Sequence, residues 1–231
     1  MYSCDSSLAD YSVILFDLDD TLIDHTQAMV TASYQFAHEL GIEPDVERWK
    51  QLEAKWFREF ELGTVSYDGQ RVARIREFLH QPDVDPAHAL DMYQRYLDLY
   101  QESIVAFPDA PGVLERAVAS GARVGIFTNG TGALQQAKMS RARLWDDRFL
   151  MLAAAELGVA KPQERCYDIV LGVLQCPADQ VLVVGDSVPN DVLGPLQAGM
   201  NAVHIHRGPE SSDLPFEVPG YRRVSTLDMV R

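Results

Sequence analysis

The sequence predicts an α/β chain, a doubly wound parallel sheet with a separate lobe of helices inserted after its first strand. Three observations predict it. The run Val13-Ile14-Leu15-Phe16 is short, β-leaning and unbroken, the pattern of a strand buried on both faces. From about His25 to Ser103 the apolar residues recur at helical spacing, with no strand among them. From Arg123 onward, short β-leaning runs alternate with amphipathic ones, the order of a parallel sheet covered on both sides.

The elements follow in order. The first strand drives into Asp17-Leu18-Asp19-Asp20-Thr21, and unpaired carboxylates are too costly to follow it into a core. The strand therefore ends there, and Asp17 and Asp19, two apart on an extended chain, face the same way. Ala32, Phe36 and Leu40 mark a first helix stopped by Gly41. Trp49, Leu52, Trp56, Phe57 and Phe60 mark a second, closed by Gly63. Val72, Ile75, Phe78 and Leu79 mark a third, ended before Pro82. Asp85-Pro86 opens a fourth, through Leu90, Tyr93, Leu97 and Tyr100. Helices of this size can pack into their own small bundle. Phe107 to Gly112 reads as the hinge back to the sheet, and a short helix through Leu114 and Val118 stops at Gly121. Strands are then expected at 123–127, 149–152, 181–184 and 202–205, the last being the final core strand. Helices are expected at 132–143, 164–175 and 189–198. The stretch from Arg207 to Asp213 reads as loop.

Length and charge bound the function. A chain of 231 residues holds one large domain or a core with a second lobe. Its formal net charge of -14 argues against non-specific binding to nucleic acid or anionic lipid. An acidic protein that handles an anionic substrate needs a local counter-charge, a metal ion or a placed lysine. Cys4, Cys166 and Cys176 are sparse, odd in number and without CxxC spacing, which argues against a disulfide framework or a zinc site and fits a cytoplasmic setting. The stretch Met1 to Asp5 carries no signal-peptide pattern, and no apolar run approaches the ~20 residues of a membrane span.

In doubly wound sheets, ligands sit at the carboxyl ends of the strands. Three strand ends are polar here: Asp17 with Asp19, Thr128 with Asn129, and Asp186. Lys161 sits in the loop after the short strand near 150. A calcium loop starting at Asp17 is excluded by Leu22 and Ala28, where Gly and Glu are needed. An acidic turn that solvates and caps a helix is the plain alternative for the first stretch taken alone. The convergence of four distant clusters on one rim favours phosphoryl transfer instead. Asp17 and Asp186 offer hard oxygens for Mg2+, and Lys161 adds a point charge. Thr128 adds a donor, and Asp19 is placed to protonate a leaving oxygen and then activate water. Hydrolysis of a phosphate monoester can demand up to ~10²¹-fold acceleration, of which general acid catalysis supplies only ~10²–10⁴. Positioning adds roughly 7–11 kcal/mol, and preorganised charge must supply the rest.

These four stretches resemble the motifs of the haloacid dehalogenase-like hydrolase superfamily. Asp17-Leu18-Asp19-Asp20-Thr21 is similar to its first motif, Thr128-Asn129-Gly130 to its second and Lys161-Pro162 to its third. Gly185-Asp186-Ser187-Val188-Pro189-Asn190-Asp191 is similar to its fourth. The resemblance implies a Rossmann-like core at 1–23 and 106–231 and an inserted, mobile helical cap at 24–105. It implies a phospho-aspartyl intermediate on Asp17 and an acid/base at Asp19, whose backbone carbonyl also ligates Mg2+. It makes Asp186 a metal ligand and Asp191 a group that stands behind the metal or orients the lysine. It gives Thr128, Asn129, Gly130 and Lys161 the task of holding phosphate.

Dehalogenases of the superfamily lack the second aspartate of the first motif. Asp19 therefore points to a phosphatase for a small phosphate ester, with a mutase of the same fold as a lesser reading. A catalytically silent binding module of this fold is the non-enzyme alternative, and the complete set of motif residues argues against it. The Thr-Asn-Gly motif and the all-helical insert look most like the nucleotidase and acylneuraminate-phosphate phosphatase branch. That branch suggests a nucleoside 5′-monophosphate, with phosphoglycolate or a sugar phosphate as alternatives, and a monomer or homodimer. Glu164 departs from the family's Lys-Pro-x-Pro pattern, which affects only how the next helix starts.

Other residues invite a function and receive a plainer account. Gly130-Thr131-Gly132 lacks the third glycine of a dinucleotide fingerprint. His204 and His206 read as a rim pair rather than ligands. His25 reads as an ordinary helix start, with a place near the leaving group as the sharper alternative. The aromatics Trp49, Trp56, Phe57, Phe60, Tyr93, Tyr96 and Tyr100 read mostly as helical core, and Arg71, Arg74 and Arg76 as a solvated face.

Overall fold

The computed structural model describes residues 7–208 and 221–231. Cys4, the stretch Met1 to Asp5 and most of the loop expected up to Asp213 lie outside the described residues. In chain order come β1 (Val13–Phe16) and the helices α1 (His25–Glu39), α2 (Val46–Glu61), α3 (Tyr67–Phe78) and α4 (Pro86–Glu102). Next are α5 (Ala110–Ala119), β2 (Arg123–Thr128), α6 (Gly132–Arg141), β3 (Leu150–Ala153) and the short α7 (Ala154–Leu157). Then come α8 (Glu164–Leu174), β4 (Val181–Gly185), a π-helical turn Val188–Leu193, α9 (Gly194–Gln197), β5 (Asn201–Ile205) and β6 (Tyr221–Val224). The chain divides into two compact units, one of residues 1–23 and 106–231, the other of residues 24–105.

The first unit is a six-stranded sheet in the order β3-β2-β1-β4-β5-β6, parallel at every pairing. β1 is central because it is apolar on both faces: Val13, Ile14, Leu15 and Phe16 are all fully buried. It pairs Phe16 with Ile126 of β2 on one side and with Val184 of β4 on the other. The chain winds outward from β1 in both directions, so its carboxyl end is the switch point where such sheets bind ligands.

Two differences from the expected elements have physical causes. The sheet does not finish at β5, because Tyr221-Arg222-Arg223-Val224 adds an edge strand. An edge strand tolerates arginines, and their charge hides the apolar alternation by which a strand is recognised. The single helix expected over 189–198 is instead a π-helical turn followed by one α-helical turn. Pro195 has no N–H to give the carbonyl of Asp191 four residues back, and widening the turn accommodates the gap. The hinge is also shorter than its sequence suggests, since α5 starts at Ala110. Asp109 receives both arms of Arg207, whose guanidinium also donates to Thr21 O and lies 3.7 Å over the Phe107 ring.

The second unit consists of four helices, each opened by a side chain accepting from a backbone N–H of the first turn. Asp24 caps α1, Asp45 α2 and Ser66 α3, while Asp85 caps α4, which has Pro86 at its first position. Its centre is aromatic. The Trp49 ring meets Phe36, Phe78 and Tyr96 at 5.7, 4.8 and 4.5 Å between centroids. Trp49, Tyr93, Tyr96 and Tyr100 are buried, as expected of core, whereas Trp56, Phe57 and Phe60 are half-buried.

Arg74 corrects the solvated-face reading, since it is only 1% exposed. Its guanidinium donates to Glu53 at 2.7 Å, to Tyr93 at 2.9 Å and to Gln70 at 2.9 Å. His25 joins the same network, with Nδ1 2.7 Å from the Tyr100 hydroxyl and Nε2 3.3 Å from Glu53. Burial alone would raise the Glu53 carboxyl, but the Arg74 guanidinium and the His25 ring hold it down at about 2. A buried arginine is tolerated only when its charge is answered in this way.

That network sets a pH dependence. With its folded value below the ordinary one, Glu53 contributes stability that is complete above the ordinary carboxylate range and is lost as pH falls toward 2. Glu53→Gln should cost about 3 kcal/mol at neutral pH and flatten the acid limb of the stability curve. Denaturant titrations across that range read both effects, and an unchanged acid limb would contradict the assignment.

Candidate active site

β1 stops where its apolar run stops, but its ladder continues one residue further: Asp17 N–H donates to Val184 O at 2.9 Å. Asp17 is thereby fixed at the carboxyl end of the central strand and is 9% exposed. The chain then turns sharply. Leu22 and Ile23 N–H both return to Leu18 O, and Asp20 takes a left-handed conformation at φ 58°, which a short polar residue tolerates.

Lys161 arrives from the segment between α7 and α8. Asn129, just past β2, holds its backbone reciprocally: Lys161 N–H donates to Asn129 Oδ1 at 2.8 Å, and Asn129 Nδ2 donates to Lys161 O at 2.9 Å. The ammonium donates to Asp17 Oδ1 at 3.0 Å, Phe127 O at 2.8 Å and Asp191 Oδ1 at 2.6 Å. All three N–H bonds are thus engaged, and the residue is 1% exposed.

Asp191 is fully buried in the π-helical turn, and its Oδ2 accepts from Ser187 N–H at 3.1 Å. The glycine at 185 lets that carboxylate come close, because a Cβ there would fall on it. Asp186 lies beside them and accepts from the Thr21 hydroxyl at 3.3 Å. Its backbone carbonyl meets His204 Nε2 at 2.9 Å, so that histidine serves the loop rather than a rim pair alone.

The structure therefore brings together Asp17, Phe127 O, Asn129, Lys161, Asp186 and Asp191. Thr128 is buried one residue on from Phe127, and its hydroxyl accepts from Gln135 Nε2 at 2.6 Å and from Gly130 N–H at 3.3 Å. Asp19 faces a different partner. Lys138 of α6 donates to both its oxygens, at 2.7 and 2.9 Å, and Gln135 Nε2 donates at 3.1 Å. Sequence reasoning did not single out Lys138 or Gln135. The available signal was a lysine and a glutamine three apart on the helix that follows Thr128-Asn129-Gly130.

One lysine serves three crowded carboxylates. Ligand oxygens of Asp17, Asp186 and Asp191 lie within 4.8 Å of one another. Burial pushes the Asp17 carboxyl well above the usual range; Lys161 opposes this, while Asp191, Asp186 and Asp19 add to it. Burial, with Asp191 and Asp20, pushes Asp186 up to about 7. Burial pulls the Lys161 ammonium down, yet Asp17 and Asp191 hold it above its ordinary value. An all-oxygen donor set with this excess of carboxylates fits a hard divalent cation such as Mg2+. Asp191 has both oxygens occupied, by Lys161 and by Ser187 N–H, which leaves Asp17 and Asp186 as the side chains best able to donate to a metal.

Comparisons with known proteins bear on this site. The family profile of the haloacid dehalogenase-like hydrolases matches residues 11–199. The chain is 30% identical to ribulose-1,5-bisphosphate 5-phosphatase of Halopiger xanaduensis over 87% of each chain. It is 27% identical to pyrimidine 5′-nucleotidase YjjG of Escherichia coli, over 81% of this chain and 82% of that one. Among solved structures, the magnesium-bound HAD-hydrolase YfnB of Bacillus subtilis superposes with a TM-score of 0.79 at 22% identity, over 94% and 96% of the two chains. Among the described residues, no helix is long and apolar enough to cross a membrane.

Removing the lysine tests the electrostatics directly. Lys161→Met would leave Asp17 and Asp191 buried without their cation, at a cost of about 3–5 kcal/mol. The shift of the urea midpoint reads that cost, and a wild-type midpoint would mean the carboxylates do not depend on Lys161.

Proposed function

The chain belongs to the haloacid dehalogenase-like hydrolase family, and from that premise we propose that it is a Mg2+-dependent phosphatase of small phosphate monoesters working through a phosphate ester on Asp17. Asp17 and Asp186, with the backbone carbonyl of Asp19, would hold the ion. Bound there, Mg2+ supplies the positive charge that lets an anionic ester approach an anionic nucleophile.

The protein's own residues divide the remaining work. An Asp17 carboxylate oxygen attacks phosphorus, the bond to the leaving oxygen breaks, and that oxygen takes a proton from the Asp19 carboxyl. Water then attacks phosphorus and gives its proton back to Asp19, and the bond from phosphorus to Asp17 breaks to release inorganic phosphate. Thr128 and the amide of Asn129 donate to the phosphoryl oxygens, joined by the Gly130 amide as it exchanges its long bond to Thr128 Oγ1 for the phosphate. Lys161, whose N–H bonds are all engaged, contributes its charge, and Asp191 keeps it aimed.

The observation that carries this reading is Asp19. An alkyl halide needs no proton on its leaving group, whereas a phosphate ester does, and a protonated carboxyl group two residues beyond the nucleophile can supply one. Asp19 has a side chain 31% exposed, against 13% for Asp17 and 2% for Lys161. The relatives named above are phosphatases of a sugar bisphosphate and of pyrimidine nucleotides, which supports a small, polar leaving group. A nucleoside 5′-monophosphate is the first substrate to try, with phosphoglycolate and sugar phosphates next. Choice of the leaving group is assigned to residues 24–105, as an inserted cap.

Purified protein should release phosphate from at least one member of a panel of nucleotides, sugar phosphates, phosphoglycolate and aryl phosphates. EDTA should stop release and added Mg2+ restore it. Asp17→Asn should lower the rate by more than ~10⁴-fold, beyond what loss of general acid catalysis alone accounts for. Undiminished release from Asp17→Asn would discard the mechanism, and isomer formation without free phosphate would identify a mutase.

A further inference from the structure

Lys138 is a buried lysine that the mechanism above does not use. It is 5% exposed, in the last turn of α6. Lysine is almost never buried unless paired, and its partner is Asp19, both of whose oxygens receive its ammonium. Gln135 lies one turn earlier on the same helix face, and it is 1% exposed. Its amide nitrogen bridges Asp19 Oδ2 at 3.1 Å and Thr128 Oγ1 at 2.6 Å. The bridge depends on the glycine at 130, where a Cβ would stand 2.7 Å from that nitrogen. The side chain of Asp19 is 31% exposed and that of Lys138 only 6%, so solvent reaches the carboxylate and not the cation behind it.

We infer that Lys138, with Gln135, is a positioning residue that holds the Asp19 carboxylate where it receives the proton of the attacking water. The inference rests on the phosphatase reading. In the observed arrangement both Asp19 oxygens accept hydrogen bonds from Lys138 or Gln135, which is the disposition of a proton acceptor. Asp19 accepts in the second step, when water attacks phosphorus on Asp17 and the phosphorus–Asp17 bond breaks. Lys138 acts through Asp19 and does not meet the substrate.

Dinitrophenyl phosphate separates the two steps, because its leaving group departs without needing a proton. On this ester, Lys138→Met should lower kcat by ~10–10²-fold while kcat/KM stays within about 3-fold. Rapid mixing should show a burst of dinitrophenolate close to one equivalent of enzyme, followed by slow turnover. Lys138→Arg should recover most of kcat, and Gln135→Met should move kcat the same way by a smaller factor. Those two variants decide the matter if Lys138→Met does not fold. An equal fall in kcat and kcat/KM without a burst would overturn the inference, since Lys138 would then serve the fold or phosphate binding. Unchanged kinetics in all the variants would overturn it as well. A wild-type protein that turns over no ester of the panel fails at the earlier point: the phosphatase reading falls, and this inference with it.

Discussion

The ammonium of Lys161 is the constraint on which the rest of the sheet's polar end depends. It is buried, and a buried charge persists only where partners replace its water. Its partners come from three strand ends: Asp17 after β1, Phe127 in β2, and Asp191 beyond β4. Its own backbone is fixed by Asn129, also beyond β2. One cation thus ties together segments about 175 residues apart in sequence. The parallel winding of the sheet delivers them to one rim, and the charge sets their spacing there.

Each unit of the chain contains a buried cation among carboxylates and hydroxyls, but the two are balanced differently. In the helical unit, Arg74 meets Glu53, Tyr93 and Gln70, and the Glu53 carboxyl is held down at about 2. That network answers its cation with a carboxylate and reads as structure. In the sheet unit, one lysine faces more carboxylates than it can satisfy, and Asp17 and Asp186 are both pushed up. A surplus of crowded oxygens is the arrangement that a hard cation and an anionic ester can complete. On a chain with net charge -14, this is also where counter-charge is most needed.

Much of this architecture was legible because the sheet is parallel. Each apolar run had to end in a turn, and polar residues at those turns stood out against buried strands, as Asp17, Thr128 and Asp186 do. What stayed hidden has specific causes. β6 carries the half-buried Arg222 and Arg223 at the end of the sheet, so its alternation is masked by charge. The π-helical turn depends on where Pro195 falls relative to Asp191, which periodicity does not register. Arg74 sits between Arg71 and Arg76, which are only half-buried, and nothing local marks it as the buried one. Lys138 and Gln135 lie within a helix, where polar residues read as a solvated face until the fold shows that this face is turned inward toward Asp19.

The central claim is that a phosphoryl group passes to Asp17. Rapid acid quench during turnover of the best ester, followed by mass spectrometry of the peptide containing Asp17, tests it most directly. The account predicts a phosphate mass on Asp17 that appears within the first turnover and disappears as substrate is exhausted. Turnover with that peptide unmodified at every quench time, or with the phosphate on another residue, would contradict it.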